Sequence, residues 1–284
     1  MDTLAAQTFN GLIMGSVYVL VALGLNLIWS ITDIPDFTQG NSYAIAAYAS
    51  YFVVTLLKLP FVLALAAGMA VGAAMSYTFE RFLYRRWNDA PRTQLLCAIA
   101  LFFLVANLAN LVWTSKAKIF PTYLGGSIET FGFPMSYQRI IVLLAAGALF
   151  TVVYLFIMKT KMGKAIRAAA QDREMAEVVG INISTVISVV FLLGGALSGA
   201  AGVLVAPLYS VFPSMGDLPL LKALVVVILG GFGSVAGVLI CGLGLGILEA
   251  YGAVYLSSAY QHGYAFFILI LFLTFKPKGL FGRV

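Results

Sequence analysis

GLIMGSVYVLVALGLNLIWSI, residues 11–31, carries no charged side chain from one end to the other. Wound as an α-helix with a rise of about 1.5 Å per residue, it is long enough to cross a hydrocarbon layer of roughly 30 Å. Apolar runs of this kind recur along the chain, near 9–30, 40–57, 60–80, 93–113, 137–158, 184–207, 219–231, 235–256 and 262–275. Of the 284 residues, 62% are hydrophobic and 10% charged, and the mean hydropathy is +1.00. Soluble domains carry roughly 25% charge. The fold class is therefore an all-α polytopic membrane protein, read as one transmembrane domain over 1–284. The run at 219–231 is short for a full crossing and reads as a half-helix or a re-entrant piece, which leaves the count at eight or nine.

The net charge is +6, but the basic residues sit in short loops rather than on a face interleaved with exposed aromatics, which excludes a nucleic-acid surface. They cluster as Arg81, Arg85, Arg86 and Arg92, as Lys159, Lys161, Lys164, Arg167 and Arg173, and as Lys276, Lys278 and Arg283. The positive-inside rule puts all three clusters in the cytoplasm. Nine crossings then place the amino terminus and the loop 114–136 outside and the carboxyl terminus inside. No Lys or Arg precedes Lys58, so the first helix does not read as a cleavable signal and is expected to remain. Cys97 and Cys241 lie inside apolar runs without CxxC spacing, which suits packing rather than a disulfide or a metal site.

Two segments interrupt the membrane pattern. Residues 31–43, ITDIPDFTQGNSY, place Asp33, Pro35, Asp36, Phe37, Gln39, Gly40 and Asn41 between apolar runs with no Lys or Arg among them. Pro35 lacks a backbone donor and Gly40 tolerates unusual dihedrals, so the backbone is expected to be irregular. At membrane depth such backbone is allowed only inside protein or along a wet cavity. It reads either as the border of a transport path or as a tight interfacial turn. The second break, residues 210–224, SVFPSMGDLPLLKAL, precedes GGFGS at 230–234. Interrupted segments in both halves hint at an internal repeat.

Glu249 falls within an apolar run, where a carboxylate is costly unless paired or wetted, and it belongs either to a polar network or to the outer interface. Lys222 and Arg139 lie near outer helix ends, from which they can snorkel. The single histidine, His262, falls in an outer loop. Glycines at small-residue spacing, among them Gly194, Gly195, Gly199 and Gly202, allow close helix contact where lipid supplies no hydrophobic drive.

The loop at 159–183 is the most informative. Its stretch KTKMGKAIRAAAQDREMAEVVGINIST (159–185) is too polar to span yet rich in helix formers, and it predicts one or two short amphipathic helices outside the membrane. Asp172 suits an N-cap and Gly180 a C-terminal stop. Met175, Val178 and Val179 share one face and invite a partner with a groove. Glu174, Met175, Ala176 and Gly180 fit the Glu-Ala-Ala-x-x-x-Gly loop of bacterial ABC-importer permeases, with Met in place of the first Ala. More narrowly, RAAAQDREMAEVVGIN (167–182) resembles the coupling loop of LivH-type permeases for branched-chain amino acids. The first helix quoted above, KALVVVILGGFGSVAGVLICGLGLGILE (222–249) and the tail KPKGLFGR (276–283) extend the resemblance over most of the chain. Where that family reads Asn-Phe-Ala-His-Gly, this chain has Asp36, Phe37, Thr38, Gln39 and Gly40.

The resemblance implies a transport subunit rather than an enzyme, with a second related (LivM-like) permease, two cytoplasmic ATPase subunits and a periplasmic solute-binding protein as partners in a bacterial inner membrane. It implies that Arg167, Asp172, Glu174, Ala176 and Gly180 form the ATPase-coupling loop, and Asp36, Phe37, Gln39, Gly40, Asn41 and Glu249 are candidates for the translocation path. No phosphate-binding GxxxxGK[ST] occurs in the sequence, so ATP and magnesium are expected on the ATPase partners and no cofactor on this chain. Branched-chain or other hydrophobic amino acids are the implied cargo. Urea, amides or aromatic acids, and an ion-coupled secondary transporter, are the alternatives.

Overall fold

The computed structural model describes residues 2–87, 90–121, 126–130, 133–255, 260–276 and 279–281. The helices are α1 Asp2–Thr32, α2 Thr38–Thr55, α3 Phe61–Phe82, α4 Pro91–Trp113, α5 Tyr137–Lys159, α6 Lys161–Ala169, α7 Arg173–Val178, α8 Ile183–Val205, α9 Asp217–Gly230, α10 Val235–Tyr255 and α11 Gln261–Phe275. Two short strands, β1 Ser127–Thr130 and β2 Phe133–Ser136, pair antiparallel before α5. Among the described residues, six helices are long and apolar enough to cross a membrane, namely α1, α3, α4, α5, α8 and α10. The remaining apolar helices are shorter or more polar. At 14 residues, α9 reaches only about 21 Å, less than a full bilayer core.

Apolarity all round its circumference lets α1 sit at the centre, nearly wholly buried, while α4 and α5 expose most of their surface as the rim of the bundle. The neighbours of α1 are chiefly α10, α8 and α9, and α3 packs most extensively on α8. Gly11 and Gly15 of α1 abut the backbone of α10 at Ile247 and Leu243, so the two helices run antiparallel. Glycines set that closeness: a Cβ on Gly72 would collide with the carbonyl of Gly195, between α3 and α8. The small-residue pattern in the sequence thus marks helix crossings.

The first break is shorter than its composition implied. Helix α1 ends at Thr32, Asp33 takes a left-handed φ of 58°, and α2 begins at Thr38. Gly40 is inside α2 with ordinary helical dihedrals, so its value is closeness rather than backbone freedom. A Cβ on Gly216 would strike the Gly40 carbonyl, so the two breaks, one in each half of the sequence, meet at this pair of glycines.

Candidate functional site

Asp36 is the hub of the first break. Buried between α1 and α2, its Oδ1 accepts hydrogen bonds from the Thr38 amide at 2.9 Å, from Thr38 Oγ1 at 2.6 Å and from the Tyr84 hydroxyl at 3.0 Å. Its Oδ2 accepts from Gln39 Nε2 at 3.2 Å. The bonds to Thr38 start α2, and the bond to Tyr84 ties the break to the short 3₁₀ turn after α3. Gln39 also accepts from Ser198 of α8 through Oε1. Asn41 donates to the Phe102 carbonyl of α4 at 3.0 Å, and Phe37 packs half-buried against the core. These residues bind α2, α4, α8 and the 3₁₀ turn together around a polar, charge-bearing turn, and every buried side-chain donor they supply has a partner.

A cavity of about 400 Å³ opens beside this hub at the far end of α1. Its lining includes Thr32, Pro35, Asp36, Glu80, Tyr84 and Arg85, with Arg173 and Glu177 of α7. Glu80, buried at the end of α3, accepts from Ser188 of α8 at 2.8 Å. Sequence reasoning passed over Glu80 and Tyr84, which stand where an apolar run meets a basic loop and look like ordinary boundary residues.

The second polar cluster crosses the opposite half of the bundle. Lys222 Nζ of α9 lies 2.7 Å from Glu249 Oε2 of α10, and it also donates to the Tyr18 hydroxyl of α1 at 2.8 Å. Tyr18 in turn donates to Glu249 Oε2 at 3.0 Å. Glu249 is 2% exposed and Lys222 4%. The expectation that Lys222 snorkels to an outer interface is therefore corrected: α9 is short and its Lys222 side chain is buried, so the ammonium turns inward to the carboxylate of Glu249 on α10, which also settles Glu249 into a network. Arg139 is exposed and donates to Asn10 Oδ1 at 2.6 Å. His262 belongs to the first turn of α11, not to a loop.

The loop at 159–183 forms two helices. Thr160 accepts from the Gly163 amide at 2.9 Å to start α6, and Asp172 accepts from the Met175 amide at 3.0 Å to start α7. Gly180 closes α7 with a φ of 88°, a conformation that favours glycine. Ala176 is buried beneath α7, whereas Met175, Val178 and Val179 are 63%, 79% and 75% exposed. Glu174 and Arg167 are exposed as well, and Arg167 reaches Met158 Sδ at 3.4 Å. An apolar stripe held out on a capped helix beyond the ends of α5 and α8 is a surface without an internal partner among the described residues. Of the tail expected to resemble the family, Pro277, Lys278, Gly282 and Arg283 lie outside the described residues.

A sequence model of the branched-chain amino acid transport system permease component matches residues 7–275. The chain belongs to this permease family. Among its relatives, the high-affinity branched-chain amino acid transport system permease protein BraD of Pseudomonas aeruginosa is 35% identical, the match covering 98% of this chain and 95% of BraD. LivH of Escherichia coli K12, a permease protein of the same description, is 32% identical over the same shares of the two chains. Among solved structures, PsaBC from Streptococcus pneumoniae in complex with Fab aligns with a TM-score of 0.50 at 14% identity, covering 95% of this chain and 91% of that one. That likeness concerns the fold alone.

Proposed function

We propose that this permease is one of two related membrane subunits of an ATP-driven importer that carries branched-chain amino acids across a bacterial inner membrane. Two cytoplasmic ATPases and a periplasmic solute-binding protein complete the assembly, and ATP with magnesium binds the ATPases while this chain takes no cofactor. The observation that carries the proposal is full-length kinship with branched-chain amino acid permeases, joined to the capped, outward-facing helix α7. The basic clusters at 81–92 and 159–173 support an orientation with α7 in the cytoplasm and the amino terminus outside.

Closure of the ATPases pushes α7 through Met175, Val178 and Val179. Arg173 and Glu177 on the same short helix line the cavity that holds Asp36, so displacement of α7 reshapes the break between α1 and α2. Because the first break meets the second at Gly40 and Gly216, the two halves rock together and exchange access between the two ends of α1. Replacing Glu174 with Ala, or Gly180 with Val, leaves membrane insertion intact and uncouples ATP hydrolysis from uptake. Normal uptake by both variants in reconstituted vesicles would refute the role given to α7.

A further inference from the structure

The ion pair described above leaves one atom unexplained. Lys222 and Tyr18 both bond Oε2 of Glu249, while Oε1 is buried and has no hydrogen-bond partner among the described residues. A buried carboxylate oxygen without a donor is costly, and native proteins rarely keep one without a reason. Glu249 lines a cavity of about 240 Å³ at the amino-terminal end of α1. That is smaller than the roughly 300–1,000 Å³ that drug-sized ligands occupy, so the cavity selects a small solute. Its wall also holds Arg139, whose bond to Asn10 uses one of the five N–H donors of a guanidinium. Ile13, Met14 and Leu208 form the apolar part of a lining that also holds Gln7, Tyr209 and Gln261.

We infer that this cavity is an outer binding site for a zwitterionic α-amino acid: Glu249 Oε1 receives the ammonium group, Arg139 the carboxylate, and Ile13, Met14 and Leu208 the aliphatic side chain. Lys222 is then a positioning residue. Its bond to Oε2 fixes the side chain and leaves Oε1 as the open acceptor for the ammonium; Lys222, Arg139 and Glu249 together carry one net positive charge, so the ligand must bring a carboxylate to Arg139. The inference rests on the branched-chain amino acid reading and sharpens it, since urea and simple amides carry neither charge.

The test uses the whole importer in lipid nanodiscs with photo-leucine, a diazirine analogue that keeps both charged groups, and maps the labelled peptides by mass spectrometry. Labelling is expected on the peptides bearing Ile13 and Met14 and on the one bearing Leu208. Leucine displaces it, whereas isovaleric acid and isoamylamine, each with one of the two charges, displace it at least tenfold less well. Arg139→Gln and the charge-balanced pair Lys222→Met with Glu249→Gln lower the labelling about tenfold or more, consistent with losing a hydrogen bond to a charged group. Arg139 is exposed, so its variant keeps the fold and the result does not depend on the doubly substituted protein. Labelling elsewhere, or labelling unchanged in Arg139→Gln, while the wild type still takes up leucine overturns this site and leaves the function reading standing. A wild-type importer that accumulates neither leucine nor photo-leucine overturns both.

Discussion

Replacing Lys222 with Met strands the Glu249 carboxylate in the middle of the bundle with the Tyr18 hydroxyl as its remaining partner. The two side chains are 2.7 Å apart and almost inaccessible, and water reaching Glu249 through the adjoining cavity does not restore the lost opposite charge. Removing one partner of a buried pair costs about 3–5 kcal/mol, because the surviving charge keeps its desolvation penalty without its compensation. At roughly 2–4 °C per kcal/mol for chains of this size, the apparent Tm falls by about 6–20 °C. The assay is thermal unfolding of the detergent-purified chain, followed by intrinsic fluorescence in parallel for wild type, Lys222→Met, Glu249→Gln and the double variant. The double variant, which carries no buried charge, recovers most of the loss, since neutral replacements of a buried pair are often close to neutral in stability. Equal and additive losses in the two single variants and the double one would refute the coupling, because residues in one network do not act independently.

Three further outcomes follow from the geometry. Asp36→Ala removes the acceptor for Thr38, Gln39 and Tyr84 together and is expected to destabilise the protein by about 2–3 kcal/mol, read as a lowered Tm and as earlier proteolysis near residue 36. Gly216→Val drives a branched side chain into the Gly40 backbone where the two breaks meet. Overpacking of this kind costs about 1–3 kcal/mol, and because the contact joins the two halves, uptake falls further than stability does when both are measured on one membrane preparation. Met175→Ser with Val178→Ser leaves Tm unchanged, since both side chains are exposed, but lowers the fraction of ATPase subunit that co-purifies with the chain.

Much of this architecture was legible in the sequence because the signals are local. Runs such as residues 11–31 report a helix in lipid through length and composition alone. Asp172 and Gly180 announce the ends of α7 because caps act within a turn or two of the chain. The interruptions were equally visible, but their extent was not: Pro35 does mark irregular backbone, whereas Gly40 sits inside α2, and a glycine kept for close approach looks the same in sequence as one kept for its dihedrals. Long-range pairing left the fewest traces. Lys222 and Glu249 are 27 positions apart and Tyr18 lies 204 positions from Lys222, so nothing local says that the two charges cancel. The same holds for Asp36 and Tyr84, and for the meeting of the two breaks. Family resemblance supplied the transport reading, while the orphan oxygen of Glu249 appears only in three dimensions.

The measurement that bears most directly on the account is accumulation of radiolabelled leucine in proteoliposomes holding this permease, its partner permease, the ATPases and the binding protein. Accumulation that requires ATP, saturates with leucine, isoleucine or valine, and disappears in Gly180→Val while ATP hydrolysis continues is the predicted result. Accumulation driven by an ion gradient without ATP, or retained in full by Gly180→Val, would contradict it.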